Sequence, residues 1–169
     1  EKAWDYEFRA GEGNQSTPAV LDKDTLIITN EQETHALRVS AQDGKWKVAP
    51  VWKSDVCGRI SSPHVFEGRV YLHGLGELHV LAGDSGKEVG KLELNGEYCS
   101  LVRLGAVLLC CSTEGTLTVV DVAKPEPKKL AEYPVAEAGS WSHLGLVGSN
   151  LLVRGRQELR CYTWEDGGK

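Results

Sequence analysis

The chain has 169 residues, of which 41% are hydrophobic and 25% charged, and its net charge is −5 with acids and bases interspersed. A chain of this length can bury a sizeable core as one globular domain. It contains no Lys and Arg cluster of the kind that binds nucleic acid. Its longest apolar run, residues 106–111, is far shorter than the roughly 20 residues of a membrane-spanning helix. We therefore expect a single globular domain that neither binds nucleic acid nor spans a membrane.

The first predicted element is a strand over residues 2–9, in which Trp4, Tyr6 and Phe8 alternate with other residues. Alternation with a period of two is typical of a β-strand. No partner strand precedes it. The chain begins at Glu1 and contains no Met, so we expect it to be a mature or excised portion of a longer protein.

Four similar segments follow, and residues 61–91 show the pattern most completely. Strands are predicted there at 64–66, 69–73 and 77–81, and a fourth strand begins near Val89. Turns at Glu67-Gly68, at 74–76 and at 84–87 separate them. Short strands joined by Gly-centred turns predict an antiparallel meander. Residues 123–132 contain Pro125 and Pro127, which break a helix and leave a loop that leads into a strand at 130–135.

The turn between the first and second strands recurs at Asp24, Gly68, Gly105 and Gly148, at spacings of 44, 37 and 43 residues. A period of about 40 residues with four strands in each repeat is typical of a β-propeller blade. We predict an all-β propeller of four four-stranded antiparallel blades, at approximately 16–55, 61–95, 99–136 and 141–165.

The fourth blade reaches the end of the chain where its outer strand should begin. We predict that the N-terminal strand, residues 2–9, completes this blade and so removes two open sheet edges. The alternative is a half-ring that pairs with a second copy to form an eight-bladed homodimer.

The motifs of residues 61–91, above all Ser61-Ser62-Pro63 and Ser85-Gly86-Lys87, resemble the repeat of the pyrroloquinoline-quinone-like propeller family. That family includes quinoprotein alcohol dehydrogenases and the bacterial outer-membrane assembly lipoprotein, and its members usually have seven or eight blades. The family repeat typically ends in Gly-Lys-x-x-Trp, with the Trp packed between blades. Here Gly90 occupies that position in the second repeat, and Trp46 and Trp52 are out of register in the first. The resemblance implies a periplasmic or secreted location.

Quinoproteins of this family hold Ca²⁺ with Glu, Asn and Asp side chains and often carry a vicinal disulfide above the quinone. Cys110 and Cys111 are adjacent, but they lie in the middle of a predicted strand, where their side chains point to opposite faces. No acidic cluster matches the calcium site. We predict a protein without cofactor or catalysis; the alternative is a fragment of a larger quinoprotein-like enzyme. The five cysteines are interpreted as buried free thiols. A disulfide between Cys57 and Cys99 is the alternative.

The loops that enter the first strand of each blade converge around the axis of a propeller. They bring together five candidate binding residues, namely Asn14, Arg59, Tyr98, Trp141 and His143. Arg and aromatic side chains are enriched at interface hot spots, so we predict that this face binds a peptide or another protein. The alternatives are that Trp141 packs between blades, or that the face binds a small ligand or carbohydrate. His73 and His79 flank one turn, but two ligands are too few for structural zinc, and no metal is predicted.

Overall fold

The computed structural model describes residues 2–8 and 16–163, and within these ranges the chain forms fifteen strands. None of the described residues lies in a helix, so this part of the chain contains no helix long and apolar enough to cross a membrane. The strands form four antiparallel sheets, and within each sheet the strands follow one another in chain order. This confirms the all-β class and the predicted meander of each blade.

The strand bounds agree closely with the sequence pattern. The first blade consists of β1 (Ala19–Val20), β2 (Thr25–Thr29), β3 (Thr34–Gln42) and β4 (Lys45–Ser54). The second consists of β5 (His64–Phe66), β6 (Arg69–Gly74), β7 (Glu77–Ala82) and β8 (Glu88–Glu93). The third consists of β9 (Cys99–Leu104), β10 (Val107–Ser112), β11 (Thr116–Asp121) and β12 (Lys128–Pro134). The fourth has three strands, β13 (Gly145–Val147), β14 (Asn150–Arg154) and β15 (Leu159–Thr163).

The core of the protein lies between the blades. Because side chains alternate across a strand, the second and third strands of the second and third blades bury apolar residues on both faces. One cluster joins the first two blades through Ile27, Ala36 and Trp52 on one side and Val70, Leu72 and Leu81 on the other. A second cluster, which includes Tyr71, Leu78, Leu108 and Cys110, joins the second and third blades. A third, which includes Leu109, Cys111, Leu144, Leu151 and Val153, joins the third and fourth.

Trp52 packs between the first and second blades. It is buried, and its indole N–H donates to the carbonyl oxygen of Gly83 at 2.7 Å. A Cβ on Gly86 would lie only 2.4 Å from the Trp52 ring, which explains why the turn of the second blade needs glycine there. The strands β3 and β4 have nine and ten residues, so their hairpin is longer than the corresponding hairpins of the second and third blades.

The fourth blade differs from the prediction. Residues 2–8, which were predicted to supply its outer strand, pair with no described strand. They contact the first blade instead: Tyr6 Oη lies 3.0 Å from His35 Nδ1, and the Phe8 ring lies 4.7 Å from the His35 ring in an edge-on contact. His35 is buried on β3, and its Nε2 is 3.0 Å from Glu33 Oε2. These contacts place the segment against the first blade.

Candidate functional site at the loop face

A groove of about 620 Å³ lies on the face where the loops entering the inner strands meet the turns between second and third strands. We call it the loop-face groove. Residues of the second, third and fourth blades line it, namely Arg59, Ile60, Leu75, Gly76, Gly96, Glu97, Glu114 and Trp141. Two of the five predicted binding residues, Arg59 and Trp141, therefore share one concave surface.

Trp141 is a surface residue. Its side chain is 54% exposed, and its ring stacks on Tyr98 with 5.8 Å between centroids. The alternative that Trp141 packs between blades is thus wrong, because Trp52 occupies such a position and Trp141 does not. A large exposed aromatic ring beside a groove is typical of a contact surface rather than of a core.

The ring of Trp141 is held by its stacking contact with Tyr98. Tyr98 is buried, and its hydroxyl lies 3.1 Å from Nδ1 of the exposed His143. Burial raises the pKa of the Tyr98 phenol, so the hydroxyl stays protonated at neutral pH and holds the ring in place. Tyr98 and His143 therefore position Trp141, although neither lines the groove itself.

Arg59 and Leu75 have positive backbone φ angles, 50° and 55°, although neither is glycine. A bulky residue in this region is uncommon and strained. Leu75 sits at the tip of the turn between β6 and β7 with 75% of its side chain exposed. No described acidic residue forms an ion pair with Arg59. The strained backbone thus presents an apolar side chain and a cation at the same groove.

Two carboxylates, Glu97 and Glu114, line the groove in addition to these groups. The backbone N–H of Thr113 donates to the Tyr98 carbonyl at 3.1 Å, and a Cβ on Gly96 would lie 2.8 Å from Thr113 Oγ1. This close approach places the loop that carries Glu97 against the turn that carries Glu114. Both carboxylates are exposed and form no ion pair with a described residue.

The fifth predicted residue, Asn14, lies outside the described residues. Sequence reasoning missed Leu75, Glu97 and Glu114. The signal for Leu75 was present, since an apolar residue between Gly74 and Gly76 at a turn has no core to enter. The two glutamates gave no signal, because exposed acids on loops are common.

His73 and His79, which flank one turn, do not share a face of the second blade. His73 pairs with Leu78 and His79 with Leu72, so the two imidazoles point to opposite faces of the second blade. The described residues contain no group of three or more His, Cys, Asp or Glu that could hold a metal ion. His73 is fully buried near Ser61, with 3.4 Å between Ser61 Oγ and His73 Nδ1. Burial, together with nearby His79, lowers the pKa of His73 to about 4.

The cysteines are free thiols. Cys110 belongs to the core between the second and third blades and Cys111 to the core between the third and fourth. They cannot act as a vicinal disulfide lid, because each is enclosed by a different core. The Cys57 thiol donates to the Glu31 carbonyl at 3.3 Å, and Cys99 is buried with its pKa raised well above the usual value by burial. No Cys57–Cys99 disulfide is formed.

The described sheets and the three cores between them define a β-propeller fold. The chain is similar in structure to BamB from Moraxella catarrhalis, with a TM-score of 0.69 and 19% sequence identity over 95% of this chain and 51% of that one. It is also similar to the computationally designed Ika8 protein, with a TM-score of 0.63 and 12% identity over 90% of this chain and 47% of that one. The designed Ika4 protein matches with a TM-score of 0.63 and 15% identity over 96% of this chain and 100% of that one.

These likenesses show the fold alone. The chain spans about half the length of BamB and of Ika8. No protein-family model matches it, and no curated protein matches it. The resemblance of its repeats to the pyrroloquinoline-quinone-like family is therefore supported at the level of the propeller fold.

Proposed function

We propose that this propeller is a non-catalytic module that binds a peptide segment or protein loop in the loop-face groove. The observation that carries the proposal is the exposed Trp141, which stacks on a buried tyrosine and shares the groove with Arg59, a cation that forms no ion pair with a described residue. Trp and Arg dominate interface hot spots, particularly where neighbouring contacts exclude water.

The groove chemistry favours a particular kind of segment. Leu75 and Trp141 offer apolar surface, and Glu97 and Glu114 offer two acceptors for a Lys or Arg side chain. Arg59 can donate two parallel hydrogen bonds to a carboxylate. The best ligand is thus an apolar or aromatic residue flanked by a basic residue and an acidic residue. A segment held at several such points gains specificity from the geometry as well as from the burial of apolar surface.

The test is a random peptide library selected on the immobilised chain, followed by measurement of the Kd of enriched peptides by fluorescence anisotropy. We expect enriched peptides that combine an aromatic or large apolar residue with Lys or Arg. Trp141→Ala should weaken binding at least about tenfold, which corresponds to about 1.4 kcal/mol.

Trp46→Ala is the matched control, because Trp46 on β4 is 53% exposed but lies away from the groove. Equal affinity of wild type, Trp141→Ala and Trp46→Ala for every enriched peptide would contradict the proposal. So would a glycan array in which an oligosaccharide binds through Trp141 while no peptide is enriched, since the groove would then be a carbohydrate site.

A further inference from the structure

Two side chains of the loop-face groove stand on backbone that disfavours them. Among the described residues, four that are not glycine have positive φ angles, and two of these four, Arg59 and Leu75, line the groove. Arg59 is the first central residue of a turn that the Ser61 N–H closes by donating to the Gly58 carbonyl at 2.9 Å. Leu75 is the first residue of the two-residue turn Leu75-Gly76 between β6 and β7. Glycine and asparagine suit such positions, because a larger side chain brings its Cβ too close to the backbone.

The packing of the chain does not account for a leucine at position 75. A Cβ on Gly74 would lie 2.4 Å from the Cys57 carbonyl oxygen, and a Cβ on Gly76 would lie 3.0 Å from the Leu94 carbonyl oxygen. Close backbone contacts therefore require the glycines on both sides of Leu75. The Leu75 side chain itself is 75% exposed, so neither burial nor backbone geometry stabilises it there.

The corresponding turns of the other blades are polar. These turns, which join the second strand of a blade to the third, comprise residues 30–33, 113–115 and 155–158. Apart from glycine they contain only Asn, Glu, Gln, Thr and Arg. Leu75 is thus the one apolar residue in the four described turns of this kind. A bulky apolar side chain that is exposed, strained and not needed by the fold indicates a contact residue.

Arg59 and Leu75 lie close together on the second-blade side of the groove. The Arg59 Cγ is 3.7 Å from the position of a Cβ on Gly74, the residue before Leu75. Glu97 and Glu114 belong to the third-blade side, on the loop before β9 and on the turn after β10. The groove therefore has a cation beside an aliphatic side chain on one side and two carboxylates on the other.

We propose that Arg59 and Leu75 are the specificity-determining pair of the loop-face groove. They select a segment in which an acidic side chain lies within one or two residues of an aliphatic side chain. Selection of this kind rests on the proposed function, namely that the groove binds a peptide segment or protein loop. The acidic side chain accepts hydrogen bonds from the Arg59 guanidinium, and the aliphatic side chain covers Leu75. A basic residue of the ligand then faces Glu97 and Glu114.

The stability of the free chain gives the first test. Leu75→Asn places on the turn a residue that tolerates a positive φ angle, so it should raise the Tm by about 2–4 °C. Leu75→Met keeps the strain and should leave the Tm unchanged. Asp43→Asn is the matched control, because Asp43 has a φ angle of 52° at the tip of the β3–β4 hairpin and does not line the groove. An unchanged or lower Tm for Leu75→Asn would overturn the proposal, since the leucine would then suit its turn.

The second test measures which side chains of a ligand the pair selects. Peptides enriched on the wild-type chain are compared with versions in which the acidic or the aliphatic residue is alanine. Each alanine should raise the Kd for the wild-type chain by about tenfold. Leu75→Asn should remove the preference for the aliphatic residue, whereas Leu75→Met should keep it. Arg59→Gln should remove only the preference for the acidic residue, and Asp43→Asn should change neither.

The outcomes distinguish this proposal from the proposed function. If Trp141→Ala weakens peptide binding while Leu75→Asn and Arg59→Gln keep both preferences, the groove binds peptides but the specificity pair is wrong. Enriched peptides that lack an acidic residue near an aliphatic one would contradict the pair in the same way. If no peptide is enriched on the wild-type chain, the proposed function fails and the specificity pair fails with it.

Discussion

The second and fourth blades have similar sequences but different surroundings. The second is packed on both faces, and its second strand, β6, is buried along its whole length. Among the described residues, the fourth shares a core on one face only, and its third strand, β15, has no buried residue. The difference shows that the stability of a blade in this protein comes from its neighbours, because a lone meander cannot cover both of its faces.

Truncation of one leucine in each blade should give the largest contrast. Leu72→Ala in the second blade removes a fully buried side chain and should lower the free energy of unfolding by about 3–4 kcal/mol through lost burial and a residual cavity. Leu152→Ala in the fourth blade should cost less than about 1 kcal/mol, because Leu152 is only partly buried. Both are measured by urea denaturation. Similar losses at the two positions would contradict the difference between the two blades.

Acid should destabilise the second blade through His73. Its folded-state pKa of about 4 is below the ordinary value of 6.5, so between these values the unfolded chain binds more protons than the folded one. Stability is therefore full above pH 6.5 and falls as the pH drops toward 4, by up to about 3 kcal/mol.

His64, whose pKa burial also lowers, adds to this loss in the same direction. His73→Leu should flatten the pH dependence measured by urea denaturation between pH 7 and 4. His143→Leu is the control, because His143 is exposed. A His73→Leu profile parallel to that of the wild type would contradict the burial of a neutral imidazole.

The loss of each of two hydrogen bonds between blades should lower the free energy of unfolding by a different amount. Trp52→Phe leaves the Gly83 carbonyl without its buried donor and should cost about 2 kcal/mol. Tyr162→Phe removes a 2.7 Å hydrogen bond to the Val135 carbonyl, but Arg160 Nη1 also donates to that oxygen at 3.0 Å. The loss there should be below about 0.5 kcal/mol. Thermal unfolding of the two variants measures both losses of stability. A larger loss for Tyr162→Phe than for Trp52→Phe would contradict this prediction.

Much of the fold could be predicted from the sequence because its signals are local. Gly68, Gly105 and Gly148 mark turns with positive φ angles, and alternation places the strands of the second blade within one or two residues of their observed bounds. The position of residues 2–8 could not be predicted in the same way. Their alternation indicates a strand with Tyr6 and Phe8 on one side, but only the partner His35 shows which blade they contact.

Part of the candidate site could also be predicted, because the repeat pattern shows which loops lie on the same face. Trp141 and Arg59 stand out on loops that the repeat brings to one face. The position of Trp141 depends on the buried Tyr98 on which its ring stacks, and this is a tertiary feature. The acidic pair Glu97 and Glu114 becomes visible only when the Thr113–Tyr98 hydrogen bond joins their loops.

Hydrogen exchange tests most directly whether the fourth blade is less supported than the second and third. Peptides that cover β7 and β11, which have partners on both edges, should exchange slowly, and the peptide that covers β15, which pairs with one described strand, should exchange fast. Slow exchange of β15 would contradict the account, because it would mean that its outer edge is paired as well.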